Sequence, residues 1–76
     1  MIKGLTIIAI DMALREYGVD ILCSERVLCD DNVTYKVKLC NVCSLTTAVK
    51  LQELVIKQLR LREFGIELQL IHKEIN

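Results

Sequence analysis

The sequence of 76 residues has few of the side chains on which several common functions depend. It contains two tyrosines, one phenylalanine and no tryptophan, too few aromatic rings for a platform that stacks nucleic-acid bases. Ten lysines and arginines are balanced by ten aspartates and glutamates, whereas phosphate binding needs a basic face. We therefore expect no nucleic-acid partner.

Histidine and long apolar segments are equally scarce. His72 is the only histidine, and the sequence shows no Ser-His-Asp set, phosphate loop or zinc-hydrolase motif, so we predict that the protein is not an enzyme. The apolar residues 5–10 end at Asp11, which leaves a segment too short to span a bilayer. We expect a cytoplasmic protein with no membrane partner.

The chain is short but rich in apolar residues. A length of 76 residues predicts one domain over residues 1–76, and a domain of this size buries a smaller share of its surface than a larger one does. Yet 53% of the residues are hydrophobic, more than a lone small domain usually requires. Some of this apolar surface is expected to meet a partner, most simply a second copy in a homodimer.

Hydrophobic spacing predicts the order α-β-β-α-β. The first helix is expected over residues 4–17, although β-branched residues keep a strand followed by a short helix open for residues 5–10. Its predicted core side chains are Leu5, Ile8, Ala9, Met12 and Ala13. Strands are predicted over 19–29, either straight or bent near Ser24-Glu25, and over 33–39 and 66–70, with a turn at residues 30–32.

The second helix, over residues 45–62, has the clearest amphipathic pattern. One stripe is predicted to face the core and consists of Leu45, Ala48, Val49, Leu51, Val55, Ile56 and Leu59. Leu54 and Leu61 lie outside this stripe and are candidates for an oligomer contact. Together the elements predict an α+β fold, in which a three-stranded mixed sheet carries both helices on one face.

The strand at 33–39 runs directly into a C-x-x-C motif, Cys40 and Cys43, and then into the second helix. Two thiols on one short loop can converge on a metal, since thiolate is the form that ligates. In a reducing compartment such a pair is more often metal-binding or redox-active than a structural disulfide. Two alternatives remain open: thiol redox chemistry, and two small buried hydrophobes at a strand end.

The other candidate ligands give weaker signals. Cys23 and Cys29 are expected in the core or on a sheet face, because C-x5-C combined with C-x2-C is not a usual zinc spacing. His72 is expected at a solvated strand end rather than in a metal site.

The α-β-β-α-β order, the strand V-T-Y-K-V-K-L, the motif C-N-V-C-S and the following helix together resemble the C-terminal domain of NifU, the Nfu domain. The resemblance covers residues 7–71. It implies a scaffold or carrier for an iron–sulfur cluster of the [4Fe–4S] type, held by Cys40 and Cys43 across a homodimer and passed to client apo-proteins. Asn41 and Val42 stand where the family usually has glycines, and Ser44 stands where it usually has proline.

The same order of elements also resembles the alkaline-shock-protein family, so the fold does not choose between functions. The alternative function is therefore a cluster-free structural module that associates with itself through its surplus of apolar surface.

Overall fold

The predicted order of helices and strands is confirmed. The computed structural model describes the backbone of residues 3–74 and the side chains of residues 5–74. The elements are α1 (Lys3–Glu16), β1 (Ile21–Cys29), β2 (Asn32–Leu39), α2 (Leu45–Leu59), a short 3-10 helix η1 (Leu61–Phe64) and β3 (Ile66–Ile71). Residues 5–10 are helical, which resolves the choice left open there. Residues 1–2 and 75–76, included in the predicted domain, lie outside the described residues.

The sheet is mixed and has β2 in its centre. β1 pairs antiparallel with β2, and β3 pairs parallel with it, so that α2 forms the crossover between parallel strands. Alternate residues of β2 and β3 are buried against the helices: Tyr35, Val37, Leu39, Leu68 and Leu70. The residues between them lie on the opposite surface, which we call the open face. The predicted three-stranded sheet with both helices on one face is thereby confirmed.

The core-facing side of α1 is not the predicted one. The buried side chains are Thr6, Ile10, Ala13 and Leu14, whereas three residues of the predicted stripe are at least half exposed: Leu5, Ile8 and Met12. The prediction is confirmed for Ala13 and wrong for Leu5, Ile8 and Met12, because α1 has apolar residues on most of its circumference and the spacing fits two faces about equally well. We call Leu5, Ile8 and Met12 the outer stripe of α1.

The β1–β2 hairpin contains an irregularity close to its open end. Ile21 pairs with Leu39 but Cys23 pairs with Lys38, so Leu22 is an extra residue in the ladder. Opposed residues of an antiparallel pair share a face, and Ile21 therefore faces the helices while Cys23 and Cys29 lie on the open face. The alternative of a bend near Ser24-Glu25 is wrong, because these residues pair regularly with Val37 and Lys36 and the irregularity lies at Leu22.

The stripe of α2 is confirmed in its centre and wrong at its start. Ala48, Leu51, Val55 and Ile56 are buried, and Leu59 is partly buried against the core. Leu45 and Val49, in the first two turns, are 62% and 48% exposed. The N-terminal part of the helix therefore presents apolar side chains to the surface.

The end of α2 differs from the prediction and changes the environment of Leu61. The helix stops at Leu59, because Arg60 adopts the left-handed conformation (φ 53°) and its N–H donates to the carbonyls of Ile56 and Lys57. Gly65 is also left-handed but ends η1. The turn at Arg60 carries Leu61 into the core, where it is 0% exposed. The oligomer contact predicted for Leu61 is therefore wrong, while Leu54 is exposed.

Within residues 3–74, no helix combines the length and the apolar character needed to cross a membrane.

Replacing Leu61 and Leu54 by alanine provides a matched test of this fold. Leu61→Ala should lower the free energy of unfolding by about 3 kcal/mol, because it removes a fully buried side chain and leaves a cavity. Leu54→Ala should change it by less than about 0.5 kcal/mol. Urea unfolding followed by far-ultraviolet circular dichroism measures both, and equal losses would contradict the assigned environments. If Leu61→Ala does not fold, Leu61→Val should show the same order with a smaller loss.

Candidate metal centre

The two cysteines of the C-x-x-C motif occupy a short loop between β2 and α2. Buried and exposed residues alternate irregularly there: Leu39 is buried, Cys40 exposed, Val42 buried and Cys43 exposed. The alternative that Cys40 and Cys43 are buried hydrophobes is therefore wrong. Both thiols are free and accessible from solvent, as a ligand or a redox group must be. We call residues 40–44 the thiol loop.

Asn41 fixes the first half of the thiol loop to the connection between α1 and β1. Its Nδ2 donates to the Gly18 carbonyl at 2.9 Å, and its Oδ1 accepts from the Asp20 N–H at 3.1 Å. The Asn41 amide thus donates one hydrogen bond to a carbonyl and accepts one from an N–H. Exchanging its nitrogen and oxygen would break both bonds, so the orientation of the amide is fixed. The Cys40 N–H donates to the Asp20 carbonyl at 2.8 Å, which adds a backbone bond beside the first thiol.

Val42 fixes the second half. Its side chain is 7% exposed and belongs to the hydrophobic core, while its carbonyl accepts from the Lys73 N–H at 2.6 Å. The side chain of Val42 thus anchors the loop in the core, and its backbone carbonyl bonds the loop to the segment that follows β3. The side chains of Asn41 and Val42 are committed to these contacts, which leaves the two cysteines as the outward-facing groups of the motif.

Ser44 ends the loop by starting the helix. Its φ and ψ are extended, and its Oγ accepts from the Thr47 N–H at 3.4 Å, as an N-cap residue does. The helix begins at Leu45, where the sequence predicted it to begin, and so Cys43 directly precedes the cap.

The other predicted candidates are located elsewhere. Cys23 and Cys29 are exposed on the open face, in agreement with a sheet-face location, and Cys29 lies at the hairpin turn. His72 is half-buried just beyond β3. Among the residues that the structure describes, no group of three or more His, Cys, Asp or Glu is arranged to hold a metal ion.

Sequence reasoning identified the thiols but missed the residues that hold them. An asparagine after a strand suggests local turn chemistry. The partners of Asn41 are instead 21 and 23 residues away in the chain, a separation that no local pattern reveals. Val42, read in the family comparison as a bulky residue in place of a glycine, is a core anchor.

Comparison with known proteins adds no assignment: no protein-family model, curated protein or solved structure matches the chain.

Removing the Asn41 amide should loosen the thiol loop locally. Asn41→Ala deletes two hydrogen bonds, and we expect it to lower the free energy of unfolding by about 1–2 kcal/mol. Amide hydrogen exchange should accelerate most at Asp20, whose N–H loses its acceptor, and less at the amides of β2.

Thr46→Ala is the control for this variant, since Thr46 is an exposed residue in the first turn of α2. It should leave both stability and Asp20 exchange nearly unchanged. Unaltered exchange at Asp20 in Asn41→Ala would show that the side chain does not fix the loop.

Proposed function

We propose that the protein is a carrier of an iron–sulfur cluster of the [4Fe–4S] type, bound by Cys40 and Cys43 of two copies and passed to client apo-proteins. The observation that carries the proposal is a loop that exposes two thiols while the Asn41 amide is hydrogen-bonded to the chain before β1 and Val42 is buried in the core. The protein would act in cluster assembly as a binding protein, without catalysing a reaction itself.

The donor set supports this cargo. A [4Fe–4S] cluster takes four thiolates, and each chain offers two on one loop. A homodimer with twofold symmetry supplies the same pair twice, which completes the set with identical chains. The bulky residues of the motif do not oppose the proposal, since Val42 points into the core and the Asn41 amide is bonded to Gly18 and Asp20.

Exposure of the thiols suits a carrier, because a client must reach the cluster to take it. Transfer is an exchange of ligands in which each iron–sulfur bond to Cys40 or Cys43 breaks as a bond to a client thiolate forms. The released cysteine thiolate takes up the proton that the client thiol gives up. No electron is transferred, so the exchange needs no oxidant or reductant.

A cluster-free module that associates with itself is the second candidate, and the outer stripe of α1 favours it. Leu5, Ile8 and Met12 are 52%, 52% and 61% exposed and follow the spacing i, i+3, i+7 of a helix-pairing seam. The sequence predicted that Leu61 would take part in self-association, but Leu61 is buried. The exposed outer stripe of α1 is the surface that could make this contact instead.

Anaerobic reconstitution with iron and sulfide tests the carrier proposal. The wild type should elute from size exclusion as a coloured dimer with about two irons per chain, since one [4Fe–4S] centre is shared by two chains. Cys40→Ser and Cys43→Ser should each lose most of the iron and the visible absorbance, because each removes two of the four ligands from the dimer.

Cys29→Ser is the matched control, because Cys29 is an equally free, exposed thiol at the hairpin turn. It should bind iron as the wild type does. A Cys40→Ser variant that retains full iron, or a wild type that remains colourless while dimeric, would exclude the carrier proposal, and the second outcome would favour self-association.

A further inference from the structure

We propose that the second copy docks on two apolar patches beside the thiol loop, formed by Leu45 and Val49 on α2 and by Leu22 and Ile71 on the open face. We call these four residues the loop rim. The inference rests on the proposed function, because a cluster shared by two chains requires the two thiol loops to face each other. It adds which surface makes that contact.

The helical side of the rim begins two residues after Cys43. Leu45 and Val49 are one turn apart on α2 and therefore share a face. Both are apolar and about half exposed, although they continue the stripe whose later members are buried. A partner that approaches Cys43 along the start of α2 would cover them.

The sheet side of the rim lines a groove of about 310 Å³ whose wall includes Leu39, the residue before Cys40. Leu22, the extra residue of the β1 irregularity, is 59% exposed there, and Ile71 lies nearby on β3. The groove reaches the thiol loop through Lys73, whose N–H donates to the Val42 carbonyl. The loop is thus flanked by apolar side chains on two sides.

Three features favour a second copy as the occupant. The thiol loop supplies two of the four thiolates that a [4Fe–4S] cluster takes, and an identical chain supplies the rest. The groove contains charges of both signs, Lys38 and Lys73 with Glu74, so a copy related by a twofold axis can place its acid against the lysines. The chain carries no net charge that would oppose pairing.

One double and one single glutamine variant test the rim without adding charge near the cluster, and a second double variant is the control. Leu45→Gln/Val49→Gln and, separately, Leu22→Gln change the rim, while Leu5→Gln/Met12→Gln makes the same kind of change on the outer stripe of α1. Sedimentation equilibrium of the reconstituted proteins measures the dimer dissociation constant. We expect the Leu45→Gln/Val49→Gln change to raise it at least about tenfold and Leu22→Gln to raise it less, because apolar surface leaves the interface. The Leu5→Gln/Met12→Gln change should leave it within about twofold.

Iron content tests the carrier proposal, and the dimer dissociation constant tests the loop rim proposal. A wild type that takes up no iron means that the carrier proposal fails, and the loop rim proposal fails with it. If the wild type forms the iron-loaded dimer, the ranking of the variants decides the interface alone. Iron-loaded dimers that tolerate the rim changes but dissociate in Leu5→Gln/Met12→Gln would overturn the loop rim and leave the carrier function standing. Circular dichroism of each variant confirms that it is folded.

Discussion

The burial of Val42 is the constraint on which the geometry of the thiol loop depends. A five-residue connection has to leave the central strand, place one side chain in the core and begin a helix at Leu45. With Leu39 and Val42 pointing inward, Cys40 and Cys43 remain on the surface. The Asn41 amide and the Lys73 N–H then tie the same loop to the segments before β1 and after β3. Four parts of the chain meet here, so the position of both thiols follows from packing that involves neither of them.

The sequence predicted those parts of the fold in which the spacing of apolar residues fits only one secondary structure and only one buried face. In β2, apolar and polar residues alternate without exception from Val33 to Lys38, and the strand lies as expected, with its apolar residues toward the helices. The middle of α2 has a single apolar stripe, and Ser44 is a favourable N-cap residue, so the helix and its start were also predictable. The thiol pair was visible because its spacing is local.

The errors occurred where local patterns allow two answers. Helix α1 has two apolar faces, and only its contacts in the folded chain select Ile10 and Leu14 over Ile8 and Met12. The irregularity at Leu22 shifts the alternation of β1, and a sequence with apolar residues on both sides of the shift does not show it. The stop of α2 at Arg60 uses a left-handed residue that is not glycine, so no glycine marks the end of the helix and the sequence predicted it to continue to residue 62.

The outer stripe of α1 and the loop rim would form different dimers. The two dimers differ in the distance between their thiol loops, and this distance decides whether a cluster can be shared. The outer stripe of α1 is centred on Ile8, ten residues before Gly18, whose carbonyl is bonded to the thiol loop. With a rise of about 1.5 Å per residue, an antiparallel pairing of two copies through this stripe would hold their thiol loops about 30 Å apart. A single cluster bridges only a few ångströms. Contact through the proposed loop rim would bring the same two loops together. Of these two arrangements only the rim dimer could share a cluster, and the outer stripe of α1 would then be left free for other contacts.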